Sequence, residues 1–124
     1  MKMTFYRCPV CGQIISIVKD TELPLVCCGV KMQEIDACST DASLEKHVPV
    51  YHIADNRVEV TVGAEDHPMT EDHYIEWIAL QTDHGNQRKI LKPGDKPHAV
   101  FYIGPNEKVK SVLAFCNIHS LWMS

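Results

Sequence analysis

Chemistry in this 124-residue chain would come first from its six cysteines and seven histidines. Cys8, Cys11, Cys27, Cys28 and Cys38 lie in the first third, and only Cys116 lies near the end. That asymmetry points to two sites of different chemistry. In a reducing compartment such residues serve as thiols, thiolate ligands or catalytic groups rather than disulfides.

The first group is C8-P-V-C11 with the adjacent pair Cys27 and Cys28, and no histidine nearby. A CxxC turn lets two thiolates approach one ion from a tight loop, and a second pair completes a tetrahedron that suits zinc or a single iron. The vicinal pair is unusual. Zinc ribbons close with a second CxxC, whose two spacers let both sulfurs turn inward, so adjacent ligands should introduce distortion. A structural zinc knuckle is the plain alternative; a Cys27–Cys28 disulfide is disfavoured by bridge geometry. CxxC followed by CC resembles the iron-binding unit of desulforedoxin, a small electron-transfer protein.

The second group is His47, His67, His73, Cys116 and His119. Taken singly, each histidine reads as a surface or hydrogen-bonded residue, but the local contexts change that. K46-H47-V-P49 opens a strand, H67-P-M-T-E-D-H73 sets two imidazoles at the ends of a short loop, and C116-N-I-H119 ends the last expected strand. Four imidazoles and a thiolate are too many for structural zinc. They fit a five-coordinate iron with one open position, and a thiolate opposite that position would donate electron density through the metal. Glu45 and Lys46 would place one anion and one cation near the open face. His52, His84 and His98 match no ligand pattern, and His84 and His98 read as surface residues. Trp77 reads as core, and Trp122 as either a shield for the site or ordinary packing.

The elements that must position these groups differ along the chain. Residues 5–35 offer only short β-prone runs, Q13-I-I-S-I-V18 and E22-L-P-L-V26, with Pro24 marking an edge. A unit this small needs a metal or a partner to hold it. Residues 36–46 read as a linker, with a helical turn possible over 43–46. From Val48 onward the runs are strand-like: V58-E-V-T-V62, I75-E-W-I-A-L80, R88-K-I-L-K92, A99-V-F-Y-I103 and S111-V-L-A-F115. Turn signals at Asp55-Asn56, His84-Gly85-Asn86, Pro93-Gly94-Asp95 and Gly104-Pro105-Asn106 separate them. The expected architecture is all-β, a small metal-binding module followed by an antiparallel sandwich.

Composition agrees with a globular protein: 45% hydrophobic and 23% charged residues. A net charge of −4 argues against general affinity for nucleic acid or an anionic membrane. No apolar run approaches the roughly 20 residues of a membrane span, and M1-K-M-T-F-Y-R-C8 lacks the apolar stretch of a signal peptide. A cytoplasmic location is expected.

Four segments, E45-K-H-V-P49, H67-P-M-T-E-D-H-Y-I-E-W77, L91-K-P-G-D95 and C116-N-I-H-S-L-W122, resemble the superoxide reductase family. Together with the N-terminal cysteines, the likeness is to its two-iron members, the desulfoferrodoxins. It implies a desulforedoxin-like module over 1–36, with one iron on four cysteines. It further implies an immunoglobulin-like sandwich over 37–124, with a ferrous site of four histidines and one cysteine. Carried over by motif, His47, His67, His73 and His119 become equatorial ligands and Cys116 the axial one. Glu45 is implied as the carboxylate that fills the sixth position after oxidation, and Lys46 as the cation that attracts superoxide. The resemblance also implies superoxide reduction to peroxide, a rubredoxin-like electron donor and a homodimer. Two departures stand out: Ser120 follows the last ligand where glycine is expected, and Cys38 matches no family ligand. The rivals are a zinc knuckle fused to a partner-binding sandwich, and a dismutase that needs no reductant.

Overall fold

The computed structural model describes residues 3–37 and 47–124, and the chain divides into two compact units, Met1–Asp36 and Ala37–Ser124. Twelve β-strands form the framework among the described residues.

In the first unit, β1 (Phe5–Arg7) lies between β2 (Ile14–Ser16) and β5 (Gln33–Glu34) in an antiparallel sheet. A separate hairpin pairs β3 (Val26–Cys27) with β4 (Val30–Lys31). Among the described residues of this unit only Met3, Phe5, Cys8 and Met32 are buried. Four side chains are a slender core. The strand expected over 22–26 is confined to Val26–Cys27. Glu22 has a φ of 63° and donates its amide to the Asp20 carboxylate at 2.8 Å, and Pro24 has no amide to give a ladder. Those features make residues 20–25 a loop.

The second unit is a two-layer antiparallel sandwich. One sheet has the order β10 (His98–Tyr102), β7 (Arg57–Val62), β6 (Pro49–Ala54). The other runs β12 (Ser120–Met123), β11 (Val109–Cys116), β8 (Ile75–Thr82), β9 (Gly85–Ile90). Period-two alternation aims Val58, Val60 and Val62 of β7 and Phe101 of β10 inward, against Ile75, Ile78 and Leu80 of β8 and Val112, Ala114 and Cys116 of β11. Full burial of each larger apolar side chain contributes about 1.5–3 kcal/mol, so this core is a far larger source of stability than the four buried side chains of the first unit.

The sequence patterns do not announce β12. The chain reverses after Cys116 through a tight turn and pairs back, Cys116 with Ser120 and Ala114 with Trp122. The reversal is possible because Ser120 adopts a left-handed φ of 67°, the conformation for which glycine is the usual residue.

Strand direction gathers the chemistry at one end of the sandwich. The start of β6 pairs with the end of β7, Pro49 with Val62, and the start of β8 pairs with the end of β11, Ile75 with Cys116. His47, the 63–74 loop and the 116–120 turn all issue from that end.

Candidate metal centres

At the sandwich end the ligand-capable atoms of His47, His67, His73, Cys116 and His119 all lie within 4.8 Å of one another. The His47 Nε2 to His119 Nδ1 separation is 2.8 Å, and Cys116 Sγ is 3.8 Å from the same Nδ1. His47 and His67 are each 2% exposed and Cys116 is fully buried, whereas His119 is exposed. His119 is thus the most exposed member of the cluster.

Several contacts fix the imidazoles. The Pro68 carbonyl lies 2.7 Å from His67 Nδ1; a carbonyl only accepts, so Nδ1 carries the proton and Nε2 presents a lone pair. That Nε2 is buried with no hydrogen-bond partner, a costly state for a polar atom unless a cation takes the lone pair. Burial pushes the His67 pKa down to about 4, against the pull of the Pro68 carbonyl, so the ring is neutral and competent as a ligand at neutral pH. Trp122, itself 2% exposed, stacks on His47 with centroids 4.6 Å apart and donates its Nε1–H to the His119 carbonyl at 3.0 Å. It thus touches ligands from both ends of the unit, a role that its place three residues after His119 only hints at.

Burial pushes the Cys116 thiol above its ordinary value, and the backbone amides of His119 and Ile118 act in the opposite direction. The His119 amide is 3.5 Å from the sulfur. A thiolate here needs a cation beside it. Four neutral imidazoles and one thiolate suit a transition metal such as iron, not the oxygen-seeking Mg²⁺ or Ca²⁺. The donors present fit the metal.

The loop carrying His67 and His73 is braced from outside. Lys92-Pro93-Gly94-Asp95 forms a turn in which Gly94 has a φ of 91°, the Lys92 amide meets the Asp95 carboxylate at 2.8 Å, and the Gly94 amide donates to the Met69 carbonyl at 2.8 Å. This gives the K-P-G-D segment a physical role that composition does not disclose. It ties down the middle of the 67–73 loop.

In the first unit the sulfurs of Cys8, Cys11, Cys27 and Cys28 lie within 4.8 Å of one another, with Cys11–Cys27 at 3.7 Å and Cys27–Cys28 at 3.9 Å. A tetrahedron with metal–sulfur bonds of about 2.3 Å has edges of about 3.8 Å. The donor set fits. The vicinal pair works because Cys28 and Gly29 occupy the two-residue turn of the β3–β4 hairpin, with φ of 53° and 72°. Two successive left-handed residues make the tight turn that matches strand twist, and the distortion expected of adjacent ligands is carried by the Cys28 backbone. The Cys11 amide draws Cys8 below the ordinary thiol value, while hydrogen bonds to Cys8 and Cys11 hold Cys27 above it. The thiol of Cys28 is likewise held above its ordinary value, chiefly by its hydrogen bond with Cys11, and a cation at the centre would favour the thiolate forms that bind it.

Glu45, Lys46, Cys38 and the turn expected over 43–46 lie outside the described residues. His52, His84 and His98 are exposed and belong to neither cluster; His98 faces Asp66 at 3.2 Å. Trp77 stacks flat on Phe115, with centroids 5.4 Å apart.

Residues 39–124 match the family model described as Desulfoferrodoxin, and residues 1–35 match that described as Desulfoferrodoxin, N-terminal domain. The chain is 48% identical over 122 residues to a desulfoferrodoxin homolog of Archaeoglobus fulgidus, covering 98% of this chain and 96% of that protein. It is 40% identical over 101 residues to a superoxide reductase of Pyrococcus horikoshii, covering 68% of this chain and 88% of that one. Among solved structures, the superoxide reductase from Treponema pallidum superposes with a TM-score of 0.82 at 27% identity, covering 99% of this chain and 97% of the other.

Proposed function

The chain belongs to the desulfoferrodoxin family, and from that membership we infer that it is a superoxide reductase holding two irons per chain. The carrying observation is the convergence of His47, His67, His73, Cys116 and His119 at the sandwich end, with His47, His67 and Cys116 buried and His119 exposed. We assign these five residues to the catalytic iron and Cys8, Cys11, Cys27 and Cys28 to the other, with functional domains at 1–36 and 37–124.

The reaction takes one superoxide, one electron and two protons to one hydrogen peroxide. Ferrous iron held by the five donors would supply that electron, and an external one-electron donor of the rubredoxin type would restore it. The protein's own groups do the rest. Neutral His67 adds no charge that would oppose metal binding, and the buried Cys116 sulfur, taken as thiolate, is the strong electron donor of the set. Lys46 immediately precedes His47 in the sequence, and its role in this reading is to attract the anionic substrate against a net charge of −4. Glu45 supplies a carboxylate for the oxidised centre.

A homodimer and a cytoplasmic location complete the reading. No helix among the described residues is long and apolar enough to cross a membrane. Among the described residues β6 is an edge strand, which supports self-association: Tyr51 and Ile53 share a sheet face with buried Val60 and Val58, yet are 37% and 45% exposed. That edge is poorly protected against pairing with another strand.

The decisive measurement is product stoichiometry in pulse radiolysis of the reduced, iron-loaded protein. One peroxide per superoxide, without oxygen release, is expected; oxygen release with no need for a reductant would make the protein a dismutase. Metal analysis giving one zinc and no iron would favour a binding module instead.

A further inference from the structure

We propose that Asn117 is a positioning residue that locks the His73 loop to the Cys116–His119 turn and so sets the affinity of the catalytic site for its metal. This rests on the ligand assignment above and concerns a residue outside the ligand set.

Three hydrogen bonds from this one residue bracket a single ligand. The Asn117 side-chain oxygen accepts the Tyr74 amide at 2.9 Å, and its side-chain nitrogen donates to the Asp72 carbonyl at 3.0 Å. The Asn117 backbone amide donates to the Tyr74 carbonyl at 3.1 Å. Asp72 and Tyr74 are the residues on either side of His73, so the peptide groups that flank this ligand are held by the residue that follows Cys116. A side-chain amide is suited to this because it offers an acceptor and a donor at one tip. Aspartate, serine and alanine each lose one or both.

The need for such a clamp follows from the loop. His73 is only half-buried, and a local turn closes on its upstream side: the Thr70 amide and hydroxyl donate to the His73 carbonyl at 2.9 and 3.2 Å, and the His73 amide lies 3.2 Å from both the Thr70 carbonyl and hydroxyl oxygens. A turn closed on itself fixes its own shape but not its place relative to Cys116 and His119. The K-P-G-D turn reaches the loop at Met69, four residues before the ligand. Beside the Ile75–Cys116 pairing at the start of β8, Asn117 adds a long-range tie to the peptide groups that flank the ligand, across 43 and 45 positions of sequence. Outer groups that orient ligands commonly change metal affinity by about 10–100-fold when removed.

The test is Asn117→Ala, compared with Asp83→Ala. Asp83 accepts the Lys108 amide at 2.8 Å at a turn near the β8–β9 hairpin, so its loss destabilises the sandwich without touching the site. Iron affinity of each centre is measured separately by chelator competition, read from the two absorption spectra. Asn117→Ala is expected to weaken the histidine-ligated centre on the order of tenfold and to shift its thiolate band, with the all-cysteine centre unchanged. Asp83→Ala should leave both affinities in place. Unchanged affinity and spectrum in Asn117→Ala, or an equal loss in Asp83→Ala, overturns the proposal. Should Asn117→Ala fail to fold, hydrogen exchange in the metal-free parent decides: the Tyr74 amide must be protected, and free exchange there removes the clamp. Loss of iron spectra in the parent itself would instead overturn the ligand assignment.

Discussion

The two centres solve the same problem, gathering soft donors around one cation, from opposite directions. Cys8, Cys11, Cys27 and Cys28 come from two tight turns within the first 28 residues, in a unit whose described residues bury only Met3, Phe5, Cys8 and Met32. His47, His67, His73, Cys116 and His119 span 73 positions and meet only because a sandwich with its own apolar core brings several strand ends together. In the first unit, where the core is slender, a bound metal would contribute to the fold. In the second, the fold makes the metal site.

The sharpest way to break this comparison is at the buried thiol. Cys116→Ser keeps four imidazoles in place and a core otherwise intact, but removes the strong donor. Superoxide reduction should fall by more than about 100-fold, beyond what loss of an outer positioning group costs. The thiolate band of that centre should vanish while the sandwich stays folded by circular dichroism. Near-normal turnover with the band present would remove Cys116 from the ligand set.

The converse experiment probes the first unit. Cys28→Ser, or selective chelation of the all-cysteine centre, should abolish the first iron and expose the amides of residues 5–34 to rapid exchange, since metal binding there is also folding energy. The spectrum of the histidine-ligated centre and donor-independent reaction with superoxide should persist. Retention of exchange protection in the first unit without metal would show that its small core suffices.

A smaller effect is expected from Lys46→Met, which leaves both ligand sets untouched. The second-order rate with superoxide should drop about tenfold at low salt, and its dependence on ionic strength should flatten, because salt screens steering charges over roughly 10 Å. Stopped-flow rates at several salt concentrations measure this. An unchanged rate at low salt ends the steering role.

Both clusters were legible from residue type and spacing, because cysteine and histidine carry their chemistry in their identity. Strands such as β7 were legible because period-two alternation marks one buried face. The scaffolding was not. Asn117 acts through side-chain bonds to residues 43 and 45 positions away, and no local pattern announces such a partner. β12 was hidden because its turn depends on Ser120 in a conformation that serine seldom adopts. The expected strand over 22–26 failed for a local reason, the left-handed Glu22 and the missing amide of Pro24.

Ser120 offers the finest test of how far the sandwich, rather than the metal, sets the second site. Its φ of 67° lies in the left-handed region, where a side-chain Cβ crowds the following carbonyl at a cost of about 1–2 kcal/mol. Glycine lacks that Cβ but has more freedom to lose on folding, which offsets roughly 0.5–1 kcal/mol of the gain. Ser120→Gly should therefore stabilise the metal-free protein by no more than about 1.5 kcal/mol, read as a rise of a few degrees in the melting temperature of the second unit. The turn it relaxes holds Cys116 and His119, which pair across it through the 3.5 Å contact of the His119 amide with the sulfur. If the core and the Asn117 and Trp122 contacts fix these ligands, the substitution should raise stability while leaving the thiolate band and the rate with superoxide unchanged. A shifted band would mean instead that strain at Ser120 is transmitted to the ligands, and that the sandwich alone does not determine the geometry of its metal site.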